Sequence, residues 1–154
     1  MRHVRATASL DCGASAAEAL IPKFFELQKD RSGAVRMMLE VPLDDFGLPT
    51  SLALAREVEL HVARERDEEN LNDVFRVTWT PAGAGPFPNF TGTMFVWSED
   101  DPDTGFIELD GQYEAHGMTG EAFDAAIGHL IAERTAKHFI DRVANGISAL
   151  RTTA

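Results

Sequence analysis

Residues 119–150 read TGEAFDAAIGHLIAERTAKHFIDRVANGISAL, a stretch that no proline interrupts. The stretch is rich in Ala, Leu, Glu, Arg and Lys, which are good helix formers. Thr119 is suited to cap the N-terminus, and Glu121 and Asp124 place negative charge in the first turns, where the helix dipole favours it. At 1.5 Å per residue such a helix would be ~45 Å long. Because this is several times the mean helix length, we expect it to cross a whole domain.

The faces of this helix allow two arrangements. One stripe of mostly small residues runs along the helix, and a second apolar patch lies on another side, where Arg134 and His138 continue it. The pattern does not decide which of these two sides meets the rest of the domain. Either the stripe faces a sheet and its small residues leave a cavity, or it packs against backbone while the second patch faces the core and Arg134 and His138 project inward. Close packing of protein interiors favours a filled core. The main stripe consists of Ala122, Ala125, Gly128, Ala132, Ala136, Phe139, Val143, Gly146, Ile147 and Leu150, and the second patch of Phe123, Ile127, Leu130 and Ile131.

The chain before this helix alternates between apolar and polar residues in short segments, which is typical of strands. One helix, 16–28, is also predicted, with Ser15 as its cap and with Pro22 either kinking it or dividing it into two. Because the turns between later strands are too short for parallel crossovers, an antiparallel meander and an α+β fold class are expected. The predicted strands are residues 2–10, 34–43, 51–64, 73–80, 89–98 and 106–114.

Length, charge and cysteine content narrow the class of protein. A chain of 154 residues is expected to form a single domain, residues 1–154. The formal net charge of −11 argues against nucleic acid and against anionic membrane surfaces, and no apolar run is long enough for membrane insertion. Cys12 is the single cysteine, so no internal disulfide can form. We therefore expect a cytoplasmic protein.

Two strands depart from simple alternation. Arg56 interrupts the apolar face of the third strand, so that either a bulge re-aims it, which the pattern favours, or its guanidinium points inward and needs a partner. In the second case Arg56 would anchor a ligand. The fifth strand carries apolar side chains on both faces, among them Phe95 and Trp97, which indicates a strand covered on both sides or a dimer edge.

Two segments carry a resemblance to a known superfamily. These are Pro86-Phe87-Pro88-Asn89-Phe90-Thr91-Gly92 before one strand and Leu109-Asp110-Gly111-Gln112-Tyr113 in the last strand. With the order of elements, they resemble the START/Bet v 1-like (SRPBCC) superfamily, which includes polyketide cyclases and lipid-transfer domains. Similar bacterial members often continue with a Pro-Pro-x-Gly turn, whereas this chain continues with residues 114–118, EAHGM. The resemblance implies a helix-grip fold, in which a curved antiparallel sheet wraps around a long C-terminal helix, and an interior cavity for an apolar or aromatic molecule. It implies no catalytic residue.

The candidate site follows from this fold. Binding of a small hydrophobic or aromatic ligand between sheet and helix is the favoured function, and no cofactor or metal is expected, because the five histidines lack a His-Glu-x-x-His spacing. A cyclase or aromatase on the same fold is the alternative, with Tyr113 or His138 as acid or base. A homodimeric interaction protein, joined through the second patch of the long helix, is the third. The expected ligand-binding residues are Arg56, Trp79, Phe95, Tyr113, Ala132, Arg134, Thr135 and His138.

Overall fold

A computed structural model describes residues 2–42, 53–69, 72–82, 89–114 and 125–152. These residues form six strands and two helices at the positions where the alternation and the helical periodicity predict them. Thr119, Glu121, Asp124 and the predicted start of the long helix lie outside the described residues. The elements are β1 Arg2–Leu10, α1 Ala14–Leu27, β2 Val35–Pro42, β3 Ala53–Asp67, β4 Asn72–Pro81, β5 Asn89–Trp97, β6 Gly105–Glu114 and α2 Ala125–Thr152.

The six strands form one sheet in the order β1-β6-β5-β4-β3-β2. Every neighbouring pair is antiparallel, so the meander predicted from the short turns is confirmed. The first strand joins it beside the last. Because β5 lies between β4 and β6, its interpretation as a dimer edge is wrong, and the edges of the sheet are β1 and β2.

A pair of glycines curves the sheet at its centre. Gly92 on β5 and Gly111 on β6 are register partners. A Cβ atom on Gly111 would lie 2.4 Å from the carbonyl oxygen of Thr91 and 2.6 Å from the Cα atom of Gly92. No side chain fits at such distances, so glycine permits the close backbone approach that this bend requires. The sheet therefore curls into a half-barrel, whose inner face meets α2.

Helix α2 touches both edges of the curled sheet. On one side the Lys137 ammonium donates a hydrogen bond to the carbonyl oxygen of Thr7 in β1, at 2.7 Å. On the other side the Arg142 guanidinium donates to the carbonyl oxygen of Met38 in β2, also at 2.7 Å. Side chains of α2 thus occupy backbone groups that an edge strand otherwise offers to other chains.

The small-residue stripe of α2 faces the sheet. Ala132 and Ala136 are 2% and 0% exposed, whereas Arg134 is exposed. The arrangement in which Arg134 and His138 both project inward is therefore wrong. Ile131, from the second apolar patch, is also buried in the core, so it is not available for the dimer surface considered above. The patch residue Phe123 lies outside the described residues.

Helix α1 packs against the C-terminal half of α2. It is one uninterrupted helix that contains Pro22, so the division into two short helices is wrong. Its N-cap is Gly13, with no side-chain capping bond, so the predicted cap at Ser15 is also wrong. The Phe24 ring lies over Gly146, where a Cβ atom would approach it to 2.2 Å. Within the described residues, no helix combines the length and the apolar character needed to span a membrane.

Candidate functional site

Aromatic side chains fill the middle of the space between the sheet and α2. Trp79 from β4 stacks on Phe90 from β5 with ring centroids 4.4 Å apart, and it contacts Phe139 from α2 at 5.1 Å. Phe139 in turn lies 6.3 Å from Phe25 of α1. The volume that small residues leave on α2 is therefore occupied here by rings of the protein itself, as close packing favours.

Trp79 carries a buried polar group without a partner. The residue is 2% exposed, and among the described residues its indole Nε1–H has no hydrogen-bond acceptor. Buried tryptophan N–H groups usually find a partner, because an unmade hydrogen bond leaves the desolvation of the group uncompensated. The indole N–H is thus a donor that the described protein leaves unused.

Arg56 carries a second such group. The register between β2 and β3 runs without a bulge and sets Arg56 opposite Leu39, so the favoured interpretation of a bulge that re-aims it is wrong. Arg56 instead shares the inner face with Leu39 and Val58, both 0% exposed. Its Nε atom is buried and lacks a hydrogen-bond partner within the described part of the chain. Two neighbouring strands therefore each carry an unused N–H donor on the face that meets α2.

Tyr113 belongs to a hydrogen-bonded chain that ends in a carboxylate. Its hydroxyl oxygen lies 3.1 Å from His129 Nδ1, and His129 Nε2 lies 2.7 Å from a carboxylate oxygen of Glu133. Since a carboxylate only accepts, Nε2 carries the proton, and Nδ1 of a neutral imidazole then accepts from the Tyr113 hydroxyl. Burial raises the pKa of Tyr113 above its usual value. The phenol therefore stays protonated, as a proton donor must.

His138 is used by the fold itself. Its Nδ1 atom accepts a hydrogen bond from the backbone N–H of Glu40 on the edge strand β2, at 2.9 Å. Burial lowers the pKa of His138, and the nearby Arg142 lowers it further. The neutral imidazole that this bond requires is therefore favoured. The structure brings His129, not His138, to Tyr113.

The remaining predicted site residues lie in three different environments. Ala132 and Thr135 are buried on the sheet-facing side of α2, and the Thr135 hydroxyl donates to the carbonyl oxygen of Ile131 at 2.7 Å. Arg134 is on the exposed side of the helix. Phe95 lies on the outer face of the sheet, where its ring is 5.8 Å from Trp97. Because strand residues alternate between faces, Phe95 lies on the opposite face from its neighbours Met94 and Val96 and is not part of the site between the sheet and α2.

One feature of the sequence points to part of the Tyr113 chain. His129 and Glu133 are four residues apart on α2, the spacing at which helix side chains meet. Nothing in the sequence alone indicates that Tyr113, on another element, lies within reach of His129. That contact depends on the register of β6 and on how α2 lies across it.

Comparison with known proteins supports the fold and goes no further. No protein-family model matches the chain, and no curated protein matches it. Among solved structures, TTHA0849 from Thermus thermophilus aligns with 15% identity over 97% of this chain and 99% of its own, with a TM-score of 0.51. A START superfamily protein from Mycobacterium smegmatis aligns with 11% identity over 96% and 98%, with a TM-score of 0.47. The protein XoxI from Bacillus cereus aligns with 12% identity over 98% and 99%, also with a TM-score of 0.47.

The chain thus has the α+β helix-grip fold, a six-stranded curled antiparallel sheet around a long C-terminal helix. The fold that the resemblance to the START/Bet v 1-like superfamily implies is confirmed. At such identities the likeness concerns the fold alone, because one fold hosts many functions.

Proposed function

We propose that the protein binds a small apolar or aromatic molecule that carries a hydrogen-bond acceptor. The acceptor is bound by Arg56 and Trp79 on the inner face of the sheet, and Tyr113, Ala132 and Thr135 complete the site. The observation that carries the proposal is the pair of buried N–H donors without partners in the described protein.

Unmade hydrogen bonds of buried groups destabilise the free protein. A buried donor that loses its partner costs about 1–3 kcal/mol, because its interaction with water is not replaced. Within the described residues, this cost arises at both Trp79 Nε1 and Arg56 Nε. A ligand oxygen that accepts from either group recovers part of it, and this recovery favours ligands with a carbonyl, phenolic or carboxylate oxygen over plain hydrocarbons.

The side chains around these donors determine which shape and polarity of ligand would fit. Trp79 and Phe90 stack on each other and are each 2% exposed, so a ligand would meet the edges of these rings. The facing side of α2 is apolar and small at Ala132. Small-molecule sites commonly combine an apolar lining with a few polar groups that fix orientation. A flat ring system with one acceptor oxygen matches this combination.

A matched pair of bicyclic molecules tests the proposal. 1-Tetralone and tetralin share their fused rings, but only the first has a carbonyl oxygen. We expect 1-tetralone to bind at least tenfold more tightly, as measured by calorimetry. We also expect Trp79→Phe and Arg56→Lys, which keep the ring and the charge, to remove most of that difference. Equal affinity for both molecules, or no binding of either together with no co-purifying molecule in native mass spectrometry, would refute the proposal.

Proton transfer to a bound carbonyl compound is the second candidate function. The observation that favours it is the chain from Tyr113 through His129 to Glu133, which links a buried phenol to a partly exposed carboxylate. Tyr113 would turn its O–H from His129 Nδ1 to a carbonyl oxygen and give that oxygen its proton. The phenolate would then regain a proton that His129 Nδ1 has taken up from solvent. A cyclase or aromatase acting on a polyketide-like substrate, the alternative that the sequence suggests, needs such a donor.

Turnover of a substrate distinguishes this enzyme hypothesis from ligand binding alone. A screen of aromatic polyketides should identify a substrate whose kcat falls at least 100-fold in Tyr113→Phe and in His129→Asn. The variant His138→Asn serves as the control, since it keeps an acceptor for the Glu40 N–H and should leave kcat unchanged. If no compound is turned over by the wild-type protein, the enzyme hypothesis is refuted while ligand binding stands.

A further inference from the structure

A second concavity lies beneath α1, away from the unused donors. It has a volume of about 390 Å³ and opens between α1 and the strands β2, β3 and β4. Ile21, Phe25 and Phe75 form its buried floor, and each is at most 5% exposed. Val35 and Val62 line it from the sheet and are only partly buried. The concavity therefore leaves apolar side chains incompletely covered.

The concavity is distinct from the site proposed above. Phe25, which lines it, contacts Phe139, and Phe139 contacts Trp79. These rings connect the two regions through a filled part of the core. Neither Arg56, Trp79 nor Tyr113 lines the concavity, so a molecule bound there would not meet the unused donors.

The charges at its mouth are already neutralised by other residues. The guanidinium of Arg64 lies 2.7 Å from a carboxylate oxygen of Asp73 and 3.0 Å from one of Glu18. The ammonium of Lys29 lies 2.8 Å from the carboxylate of Glu26. An anionic ligand would have to displace one of these partners, and a cationic ligand would have to compete with Arg64 or Lys29. A neutral ligand avoids both costs.

We propose that this concavity, the α1 pocket, is a second binding site that takes a small neutral apolar molecule of one to three rings. Its volume falls within the range of small-molecule sites, roughly 300–1,000 Å³. Its lining supplies apolar surface from a helix and three strands, and the carboxylate-paired Arg64 and Lys29 at the mouth exclude charged molecules. The proposal is independent of the ligand-binding function proposed above.

Two anilinonaphthalene probes test the charge preference. N-phenyl-1-naphthylamine is neutral, and 8-anilinonaphthalene-1-sulfonate is the same ring system with a sulfonate. We expect the neutral probe to bind the wild-type protein saturably, with a rise in fluorescence, and at least tenfold more tightly than the sulfonate. Absence of saturable binding of the neutral probe, or tighter binding of the sulfonate, would overturn the proposal.

Location is tested by a substitution and by a direct contact measurement. Val62→Phe places a ring in the α1 pocket and should weaken binding of the neutral probe at least tenfold. The matched control Val74→Phe adds the same ring on the outer face of β4 and should leave binding unchanged. In the wild-type protein, nuclear Overhauser contacts should join the probe to methyl groups of Ile21 and Val62, which does not depend on how the variant folds. Contacts only to the methyl groups of Ala132 and Thr135 would overturn the α1 pocket while supporting the other site.

Discussion

Replacement of Trp79 by phenylalanine tests whether the indole N–H is truly unpaired in the free protein. Phenylalanine is smaller by roughly 40 Å³, which at about 24 cal/mol per Å³ of cavity costs about 1 kcal/mol. The lost transfer free energy of the missing ring atoms adds about another 1 kcal/mol. Removal of a buried donor that has no acceptor raises the free energy of unfolding by about 1–3 kcal/mol. The variant should therefore match the wild-type free energy of unfolding to within about 1 kcal/mol.

The comparison needs a core aromatic residue that has no polar atom. Phe75 lies on the same strand, β4, and is also 2% exposed. Phe75→Leu removes a smaller volume, roughly 25 Å³, together with the ring beneath the Arg64 guanidinium. Because it removes no unpaired donor, it should lose about 1–2 kcal/mol. Urea unfolding of ligand-free protein, followed by circular dichroism, measures both variants with a common slope. If Trp79→Phe loses more than about 2 kcal/mol, the indole N–H has a partner in the free protein and the binding argument fails.

Three further predictions address the curl of the sheet, the edge of β2 and the Tyr113 chain. Gly111→Ala should cost about 2–4 kcal/mol in urea unfolding, because its Cβ would meet backbone atoms that cannot move aside; a loss under 1 kcal/mol would contradict the tight bend. Since the pKa of His138 is lowered on folding, its contribution to stability is complete above about pH 6.5 and is lost as the pH falls below that value. The free energy of unfolding measured from pH 7 to 5 should accordingly fall more steeply in the wild-type protein than in His138→Asn, whose amide oxygen still accepts the Glu40 N–H, and equal slopes would count against the assigned bond. A double-mutant cycle of Tyr113→Phe and His129→Asn should give a coupling energy of about 1 kcal/mol, and additive losses would show that the two side chains do not interact.

Much of the fold follows from local patterns in the sequence. The alternation of apolar and polar residues in β1 and β6 predicts that both are strands and which side chains face the core, because a strand has a side-chain period of two. The absence of proline from α2 and its stripe of small residues likewise predict a long helix that packs against a sheet. Helix ends were less predictable. Gly13 rather than Ser15 is the N-cap of α1, and Pro22 is accommodated inside the helix, since tertiary packing overrides local preferences.

The candidate site was less accessible to sequence analysis, for two physical reasons. Whether Arg56 bulges out or stays on the inner face depends on the register with β2, which local alternation does not determine. Contacts between distant residues, such as Tyr113 with His129 or Trp79 with Phe139, depend on how α2 lies across the curled sheet. The sequence therefore predicts that several of these residues face the interior, but not the hydrogen bonds that they make.

The indole N–H resonances of the two tryptophans provide the most direct measurement of ligand binding at Trp79. Trp79 and Trp97 lie on opposite faces of the sheet, so Trp97 is an internal control, and Trp97→Phe assigns the two signals. On titration with 1-tetralone, the Trp79 indole proton should move downfield as it gains an acceptor, while the Trp97 signal stays in place. Tetralin should produce no such downfield shift. If 1-tetralone leaves the Trp79 signal unmoved, or if both molecules shift it alike, the account of a ligand acceptor bound by the unused donors is contradicted.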